Sequence, residues 1–235
     1  MKISIVIPAY NEEFRLPNSI KILLEFTAKR KEEFEIIIVD DGSKDNTVGV
    51  AKNFGNSISV ISLEKNSGKG AAVRKGMMSA TGDFIFFMDA DLSTPIYELD
   101  KLLPHLINNE FDVALGSRAV DYSSIKIHQP FYREFMGKTF NKIVQLLVVK
   151  GIKDTQCGFK GFTKEAARSI FSKTLIDGFS FDVELVYIAS KLGLKIKEIS
   201  VEWYNDEQSK ISPIKDSLKM LFEILEIKKL HKQKF

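Results

Sequence analysis

The sequence is poor in the residues that build covalent or zinc-based scaffolds. Its single cysteine, Cys157, excludes an internal disulfide. The three histidines lack the spacing of a zinc site and are scattered at 105, 128 and 231. A net charge of +3 over 235 residues is too small to favour a nucleic-acid partner. We therefore expect no disulfide framework, no zinc site and no nucleic acid.

Long hydrophobic runs are also missing. No window approaches the roughly 20 continuous apolar residues that a membrane-spanning helix needs. The chain begins with a strand-like segment at 2–7, so we expect no signal peptide before the fold. The content of 44% hydrophobic and 28% charged residues is ordinary for a globular protein. We expect residues 1–235 to form one domain that is soluble or peripheral to a membrane, not integral to it.

The chain does contain short apolar runs that alternate with helical patterns. The runs lie near 3–7, 35–39, 58–63, 84–88 and 112–115. This alternation predicts an α/β fold with a Rossmann-like, mostly parallel sheet flanked by helices. Further along, the pattern predicts helices at 131–149, 165–171 and 181–191, a strand at 196–203 and an amphipathic C-terminal helix at 214–230.

Four predicted strands end in polar residues. They are followed by Pro8-Ala9-Tyr10-Asn11, Asp40-Asp41-Gly42-Ser43, Asp89-Ala90-Asp91 and Gly116-Ser117-Arg118. Because parallel strands place their carboxyl ends at one edge of a sheet, we expect these segments to converge on a ligand site. Asp89 and Asp91 are costly neighbours unless a cation neutralises them, and their oxygens suit Mg²⁺ or Mn²⁺. The alternative is that both merely cap a helix beginning near 93–95.

Together these motifs resemble a known family. Ile-Pro-Ala-Tyr-Asn-Glu-Glu at 7–13, Asp-Asp-Gly-Ser at 40–43, Asn-Ser-Gly-Lys-Gly at 66–70 and Asp-Ala-Asp-Leu-Ser at 89–93 resemble family 2 glycosyltransferases of the GT-A fold. The segments at 116–118, 154–160, 181–184 and 209–210 resemble the polyprenyl-phosphate sugar transferases, and most of all their dolichyl-phosphate β-glucosyltransferase branch. The resemblance spans about 2–211. It departs from the branch in lacking the usual N-terminal membrane helix and in a less glycine-rich segment at 204–208.

The resemblance implies a division of labour along the chain. Residues 1–118 would form the nucleotide-sugar-binding half, 119–211 the acceptor half and 212–235 a basic amphipathic helix. The implied donor-binding residues are Pro8, Ala9, Tyr10, Glu12, Asp40, Gly68, Lys69, Asp89, Ala90 and Lys210. A carboxylate such as Asp40 can accept the imide N–H of uracil, although its motif also suits a plain tight turn. A Gly-Lys-Gly segment that opens a helix can cradle phosphate, but alone it is a weak signal.

The resemblance also implies the reacting groups. The metal ligands would be Asp91 and Asp89, the catalytic residues Asp91, Asp154, Arg118 and Arg133, and the acceptor-binding residues Ser117, Arg118, Arg133 and Gln156. Ser93 stands where many relatives have another ligand. A phosphate monoester has its second pKa near ~6, so it needs arginine to hold it more than a base to activate it. Arg133 alternatively sits on a solvated helix face, and Asp154 alternatively caps structure. Asp182 and Glu184 are expected on the acceptor side.

The expected reaction is a single inverting displacement that moves a hexose, with glucose expected, from a UDP-sugar to a polyprenyl or dolichyl phosphate. Mg²⁺ or Mn²⁺ would neutralise the leaving diphosphate. Basic residues beside apolar ones in the predicted helices from 131 and 214 suit peripheral attachment to the cytoplasmic face of a membrane, although both helices can simply pack on the sheet. Two rivals remain: a family 2 transferase with a saccharide or protein acceptor, which needs a true base, and a non-catalytic nucleotide-sugar-binding module.

Overall fold

The computed structural model describes residues 1–128, 130–206 and 215–232. Strands and helices alternate through the first half of the chain, as the sequence pattern predicts. The strands are β1 (Lys2–Ala9), β2 (Glu33–Asp40), β3 (Ser59–Ser62), β4 (Phe84–Met88), β5 (Val113–Ser117), β6 (Ile125–Ile127), β7 (Phe159–Thr163), β8 (Ile196–Ser200) and β9 (Trp203–Tyr204). The helices are α1 (Leu16–Thr27), α2 (Thr47–Lys52), α3 (Lys69–Ser79), α4 (Leu99–Ile107), α5 (Phe131–Leu147), α6 (Lys164–Phe171), α7 (Phe181–Lys191) and α8 (Lys215–Leu230).

In the described part of the chain, seven strands form the central sheet in the order β3-β2-β1-β4-β7-β5-β8. All neighbours are parallel except at β7, which runs antiparallel between β4 and β5. A separate two-stranded sheet pairs β6 with β9. The predicted α/β class with a mostly parallel sheet is therefore confirmed.

Strand β7 (Phe159–Thr163) is absent from the sequence-based prediction. Its sequence, Phe-Lys-Gly-Phe-Thr, does not resemble a central strand, because a lysine and a glycine interrupt the apolar pattern. In the structure, Lys160 is nevertheless fully buried. A Cβ at Gly161 would lie 2.3 Å from the ring of Phe86 on the neighbouring strand. Because β7 begins at the edge of the sheet where β4 ends, the residues just before it, 154–158, lie at that edge.

Alternating side chains of the strands build a core on each face of the sheet. Phe86 packs on one face against α1 and α4, and Phe87 packs on the other against α3, α6 and α7. The ring of Phe87 is 5.7 Å from the ring of Phe181, at the start of α7. Both faces are covered, which is why the central strands read as continuous apolar runs.

The carboxyl ends of β1, β2, β4 and β5 meet at one edge, and β7 begins there because it runs in the opposite direction. Met88, the last residue of β4, pairs with Phe159, the first residue of β7. The convergence predicted from the four polar strand ends is what the topology produces. No helix within the described ranges combines the length and apolar character needed to cross a membrane.

Candidate active site

A cleft of about 720 Å³ opens at this edge of the sheet. It is lined by most of the predicted donor-binding residues, namely Pro8, Ala9, Tyr10, Glu12, Gly68, Lys69, Asp89 and Ala90, together with Asp91. The opposite wall comes from 175–179 and from Met220 and Glu223 of α8. Asp40 is not a lining residue: it is 3% exposed, and its carboxylate accepts the N–H of Ser43 in a local turn.

Asp41, which was not among the predicted site residues, lines the cleft. It also fixes the Gly-Lys-Gly segment that was predicted to bind phosphate. Its carboxylate accepts the N–H groups of Ser67 and Gly68 at 2.7 and 2.9 Å. Burial raises the pKa of Asp41, and the neighbouring Asp40 adds to the effect. Gly68 has φ +111°, and a Cβ there would lie 2.3 Å from the carbonyl oxygen of Asp177, so glycine is required. The start of α3 is thereby fixed at the cleft.

Asp89 and Asp91 lie immediately after β4. The Asp89 N–H donates to the carbonyl oxygen of Gly158, and a Cβ on Gly158 would lie 2.0 Å from Asp89 Oδ2. The Asp89 carboxylate thus packs against Gly158, where any larger residue would overlap it. Asp91 Oδ1 accepts the N–H of Ser93 at 2.9 Å. Because α4 begins only at Leu99, neither carboxylate caps that helix.

The electrostatics of this pair are those of a site for a cation. Burial raises the pKa of Asp91, and repulsion by Asp89 raises it further. Asp89 Oδ1 is buried and accepts no directed hydrogen bond from a described residue, although the Lys69 ammonium lies 2.6 Å away. Burial by itself would lower the pKa of Lys69, but Asp89 and Asp182 outweigh it and raise the pKa.

Lys160 is a buried cation that the sequence analysis did not single out. Its ammonium donates to Asp182 Oδ1 at 2.5 Å and to the Cys157 carbonyl oxygen at 2.6 Å, and lies 5.0 Å from the centre of the Phe87 ring. Burial raises the pKa of Asp182, although Lys160 opposes that shift. Asp182 therefore lies beneath the donor edge and not on the acceptor side.

Glu184 is fully buried behind the donor cleft, which also differs from its expected acceptor-side position. Its two carboxylate oxygens accept the N–H groups of Leu175 and Ile176, each at 2.9 Å. His231 Nε2 lies 2.7 Å from Glu184 Oε1. Leu175 and Ile176 line the cleft, so Glu184 shapes one of its walls and connects that wall to the end of α8.

Arg118 and Asp154 form a two-point ion pair beside the cleft. Arg118 Nε and Nη2 donate to the two carboxylate oxygens of Asp154 at 2.7 and 2.8 Å, and the Arg118 backbone N–H adds a third bond. Burial would raise the pKa of Asp154, but Arg118 outweighs it and lowers the pKa to about 2. Asp154 Oδ1 also accepts the N–H of Gln156. These contacts favour Asp154 as an anchor for Arg118 over Asp154 as a base.

A small pocket of about 80 Å³ lies on the outer side of this pair. Arg118 and Asp154 share it with Trp203, whose ring lies 5.4 Å from the guanidinium carbon, and with Lys138 of α5. Lys138 was not among the predicted site residues. Ser117 does not reach this pocket: it is fully buried and its hydroxyl donates to Glu198, so the structure places it beneath the site.

Two predicted residues have no described side chain. Arg133 lies in the first turn of α5, and its side chain is outside the described set. Lys210 lies outside the described residues altogether. Gln156 is placed beside Asp154 by its backbone N–H, and Ser93 contributes its carbonyl oxygen to the N–H of Tyr204.

Comparison with known proteins assigns the chain to a protein family. The model of "Glycosyl transferase family 2" matches residues 4–171, which is more than half of the chain. The chain belongs to glycosyl transferase family 2. It is therefore an enzyme, a glycosyltransferase, and the predicted resemblance is confirmed.

Several relatives of this glycosyltransferase share one name, dolichyl-phosphate beta-glucosyltransferase. The human protein is 39% identical, over 97% of this chain and 75% of its own length. The Dictyostelium discoideum protein is 37% identical over 96% and 73%, and the Saccharomyces cerevisiae protein 34% identical over 96% and 74%. The predicted branch of family 2 is confirmed by these relatives.

Solved structures share the fold of this glycosyltransferase. Glucosyl-3-phosphoglycerate synthase from Mycobacterium tuberculosis, in complex with UDP, superimposes with a TM-score of 0.72 at 19% identity, over 96% of this chain and 79% of that one. Mannosyl-3-phosphoglycerate synthase from Rubrobacter xylanophilus gives 0.74 at 18% identity, over 100% and 75%. At such identities the likeness concerns the fold, which is the predicted GT-A type.

Proposed function

We propose that this glycosyltransferase moves glucose from UDP-glucose to a polyprenyl phosphate of the dolichyl type, in an inverting, metal-dependent reaction. The relatives above are named as β-glucosyltransferases of dolichyl phosphate, which supports the glucosyl group and the acceptor in this proposal. The observation that carries the proposal is the edge of the cleft, where Lys69, Asp89 and Asp91 face a space large enough for a nucleotide sugar and Arg118 lies beside it. A division into a donor half at 1–118 and an acceptor half at 119–211 stays a prediction, and residues 175–179 and α8 also contribute a wall to the donor cleft.

The residues present fit a divalent cation. Asp89 offers a buried carboxylate oxygen without a directed hydrogen bond, and the raised pKa of Asp91 reflects two like charges placed together. Mg²⁺ and Mn²⁺ are commonly held by one or two carboxylates and the phosphates of a substrate. A related fold is known with Mn²⁺, UDP and glucosyl-3-phosphoglycerate. When bound, the cation would supply positive charge to the leaving diphosphate.

The chain's own residues perform the remaining tasks on the donor side. Lys69, the first residue of α3, presents its ammonium to the diphosphate. The N–H groups of Ser67, Gly68 and Gly70 are already bonded to Asp41 and Asp177, which fix the turn that carries Lys69. Pro8, Ala9 and Tyr10 form the floor for the nucleobase. Glu12 is held by Arg15, which donates to both of its carboxylate oxygens at 2.7 Å. The donor is thus fixed at both ends, which leaves its anomeric carbon facing the acceptor side.

On the acceptor side, Arg118 holds the nucleophile. Its Nε and Nη2 are occupied by Asp154, while its Nη1 makes no hydrogen bond to a described residue and can donate to a phosphate oxygen. A lipid monophosphate is largely dianionic at neutral pH, so no base is required to activate it. The engagement of Asp154 with Arg118 therefore fits a phosphate acceptor better than a saccharide or protein acceptor, which would need a base.

The test is transfer of labelled sugar to a short-chain polyprenyl phosphate, with UDP-glucose and GDP-mannose compared in parallel and Mn²⁺ or Mg²⁺ present. We expect an acid-labile lipid product from UDP-glucose that disappears when the metal is chelated. Product from GDP-mannose alone would overturn the donor. Hydrolysis of the donor without lipid product would favour a saccharide or protein acceptor, and donor binding without any reaction would favour the non-catalytic module.

We further propose that the enzyme docks peripherally on the cytoplasmic face of a membrane through α5 and α8. Phe131 and Leu146 of α5 are 84% and 79% exposed, and Phe222 and Leu225 of α8 are 67% and 56% exposed. Exposed lysines accompany them on both helices, at 138, 142, 228 and 229. Apolar side chains beside lysines suit the surface of an anionic bilayer.

Vesicle sedimentation tests this docking surface. The protein is expected to bind vesicles that contain phosphatidylserine more tightly than vesicles of phosphatidylcholine alone, and Phe222→Ser with Leu225→Ser should lower that binding by about tenfold or more. Ile107→Ser removes a similarly exposed apolar side chain from the end of α4 and should change nothing. Equal binding by all three proteins would contradict the docking surface.

A further inference from the structure

The ion pair between Lys69 and Asp89 joins the two motifs that face the donor cleft. The Lys69 ammonium lies 2.6 Å from Asp89 Oδ1. Burial would lower the pKa of Lys69, but both the charge of Asp89 and this close contact raise it, so the ammonium stays protonated on that oxygen. A lysine side chain thus already places a positive charge on one of the two carboxylates assigned above to the metal.

The backbones of both partners are fixed. On one side, Asp41 and the carbonyl oxygen of Asp177 hold the turn before Lys69: Asp177 accepts the N–H of Gly70 at 2.7 Å. On the other side, Asp89 rests against Gly158, where even a methyl group would overlap its carboxylate. The mobile part of the pair is therefore the flexible four-carbon stem of the lysine.

The other two cations near Asp89 among the described side chains already have partners: Asp89 also acts on Arg118, but Asp154 holds that guanidinium. Lys160 is committed to Asp182 and to the carbonyl oxygen of Cys157 in a fully buried contact. The three carboxylates at 89, 91 and 182 face two lysines, which leaves one negative charge before any ligand arrives. Lys69 is consequently the group that compensates Asp89 in the ligand-free protein.

We propose that Lys69 is a tethered counter-ion, which competes with the divalent cation for Asp89 in the absence of donor and transfers to the donor diphosphate when both ligands bind. The inference rests on the proposed function, because it takes a metal ion and a nucleoside diphosphate as ligands of this cleft. Lys69 lines the cleft, so rotation of its side chain carries the ammonium from carboxylate to phosphate. The exchange makes the two ligands strengthen each other's binding, and linkage makes that effect reciprocal.

The experiment measures binding of Mn²⁺ to the protein without acceptor, from the electron paramagnetic resonance signal of free Mn²⁺, with and without UDP. Lys69→Met removes the charge and keeps the length of the side chain. We expect it to bind Mn²⁺ alone about tenfold more tightly than the natural protein, and UDP to add much less to that binding. Lys75→Met removes an exposed lysine from the same helix and should leave both measurements unchanged.

Lys69→Arg keeps the charge and carries the test even if Lys69→Met folds poorly. It should retain both the weak binding of Mn²⁺ alone and the gain on adding UDP. The proposal would be overturned if a folded Lys69→Met protein bound Mn²⁺ alone no more tightly than the natural protein. It would also be overturned if Lys75→Met tightened the binding of Mn²⁺ alone as much as Lys69→Met does. Failure of transfer to a polyprenyl phosphate would overturn the proposed acceptor but leave this result standing, because no acceptor is present.

Discussion

Asp91→Asn is expected to lower sugar transfer by about three orders of magnitude. The substitution keeps the side-chain shape and the oxygen that accepts the Ser93 N–H, but it removes the negative charge from the proposed metal site. Without that charge a divalent cation would have only the Asp89 carboxylate to hold it, in competition with Lys69. The positive charge that it would supply to the leaving diphosphate would then be largely lost. The measurement is initial-rate transfer from UDP-glucose at saturating metal.

The same substitution should make the ligand-free fold slightly more stable. Burial and Asp89 raise the pKa of Asp91 in the folded protein, so the charged carboxylate at neutral pH costs stability that a neutral amide does not. We expect a melting temperature equal to or a few degrees above that of the natural protein, in a calorimetric scan without metal. Loss of transfer with a rise in stability would separate the role of Asp91 in the reaction from any role in folding.

Glu25→Gln is the matched control, because it neutralises an exposed carboxylate on α1. We expect this substitution to leave sugar transfer unchanged. Transfer by Asp91→Asn within tenfold of the natural rate would contradict a metal role for Asp91. A large fall in its melting temperature would instead indicate that the carboxylate holds the turn together.

Strand ends were the most predictable part of the site. Apolar runs that stop at Pro8, Asp40, Asp89 and Gly116 follow from the burial of parallel strands on both faces, and topology then forces their ends to one edge. This logic needs no knowledge of side-chain geometry. The sequence alone therefore predicts the donor edge of the sheet.

The central antiparallel strand was not predictable in the same way. A buried lysine is stable at position 160 because Asp182 and a carbonyl oxygen surround its ammonium, and neither partner is close in sequence. Periodicity treats such a lysine as exposed and so breaks the apolar pattern. The pairing of a buried charge is a property of the tertiary structure.

The sequence also did not predict the contacts of individual side chains in the motifs. Ser117 belongs to a predicted acceptor motif, yet the pleat turns it inward toward Glu198. Glu184 belongs to a motif expected on the acceptor side, yet it supports the opposite wall through Leu175 and Ile176. A motif gives the position of a residue along the chain, whereas the direction of its side chain is decided by strand register for Ser117 and by the packing of α7 for Glu184.

Arg118→Ala is expected to lower kcat/KM for polyprenyl phosphate by about three orders of magnitude, with little change in the affinity for UDP. The guanidinium lines the small pocket on the proposed acceptor side, its Nη1 makes no hydrogen bond to a described residue, and Asp154 fixes its orientation by two bonds. Rates are measured against acceptor concentration, and UDP affinity by calorimetry. Arg30→Ala, which removes an arginine from the turn after α1, should leave both values near those of the natural protein.

Removing Arg118 alone also leaves the carboxylate of Asp154 buried and unpaired, which can cost about 3–5 kcal/mol of stability. The double variant Arg118→Met with Asp154→Asn avoids that cost, because no charge remains. If Arg118 acts on the acceptor, the double variant should be well folded and as inactive as Arg118→Ala. Recovery of transfer in the double variant would mean that the single substitution acted through misfolding.

Asp154→Asn then separates an anchor from a base. The lowered pKa of about 2 keeps Asp154 charged throughout the working range, and its stabilising pair with Arg118 weakens only as pH falls from about 4 toward 2. As an anchor, Asp154→Asn should slow transfer by about tenfold, because one amide oxygen still accepts from Arg118 while the ion pair is lost. If Asp154 were instead the catalytic base, Asp154→Asn would abolish sugar transfer. A partial loss, with an unchanged pH profile above about pH 5, is the outcome that a phosphate nucleophile requires, since that nucleophile arrives already deprotonated.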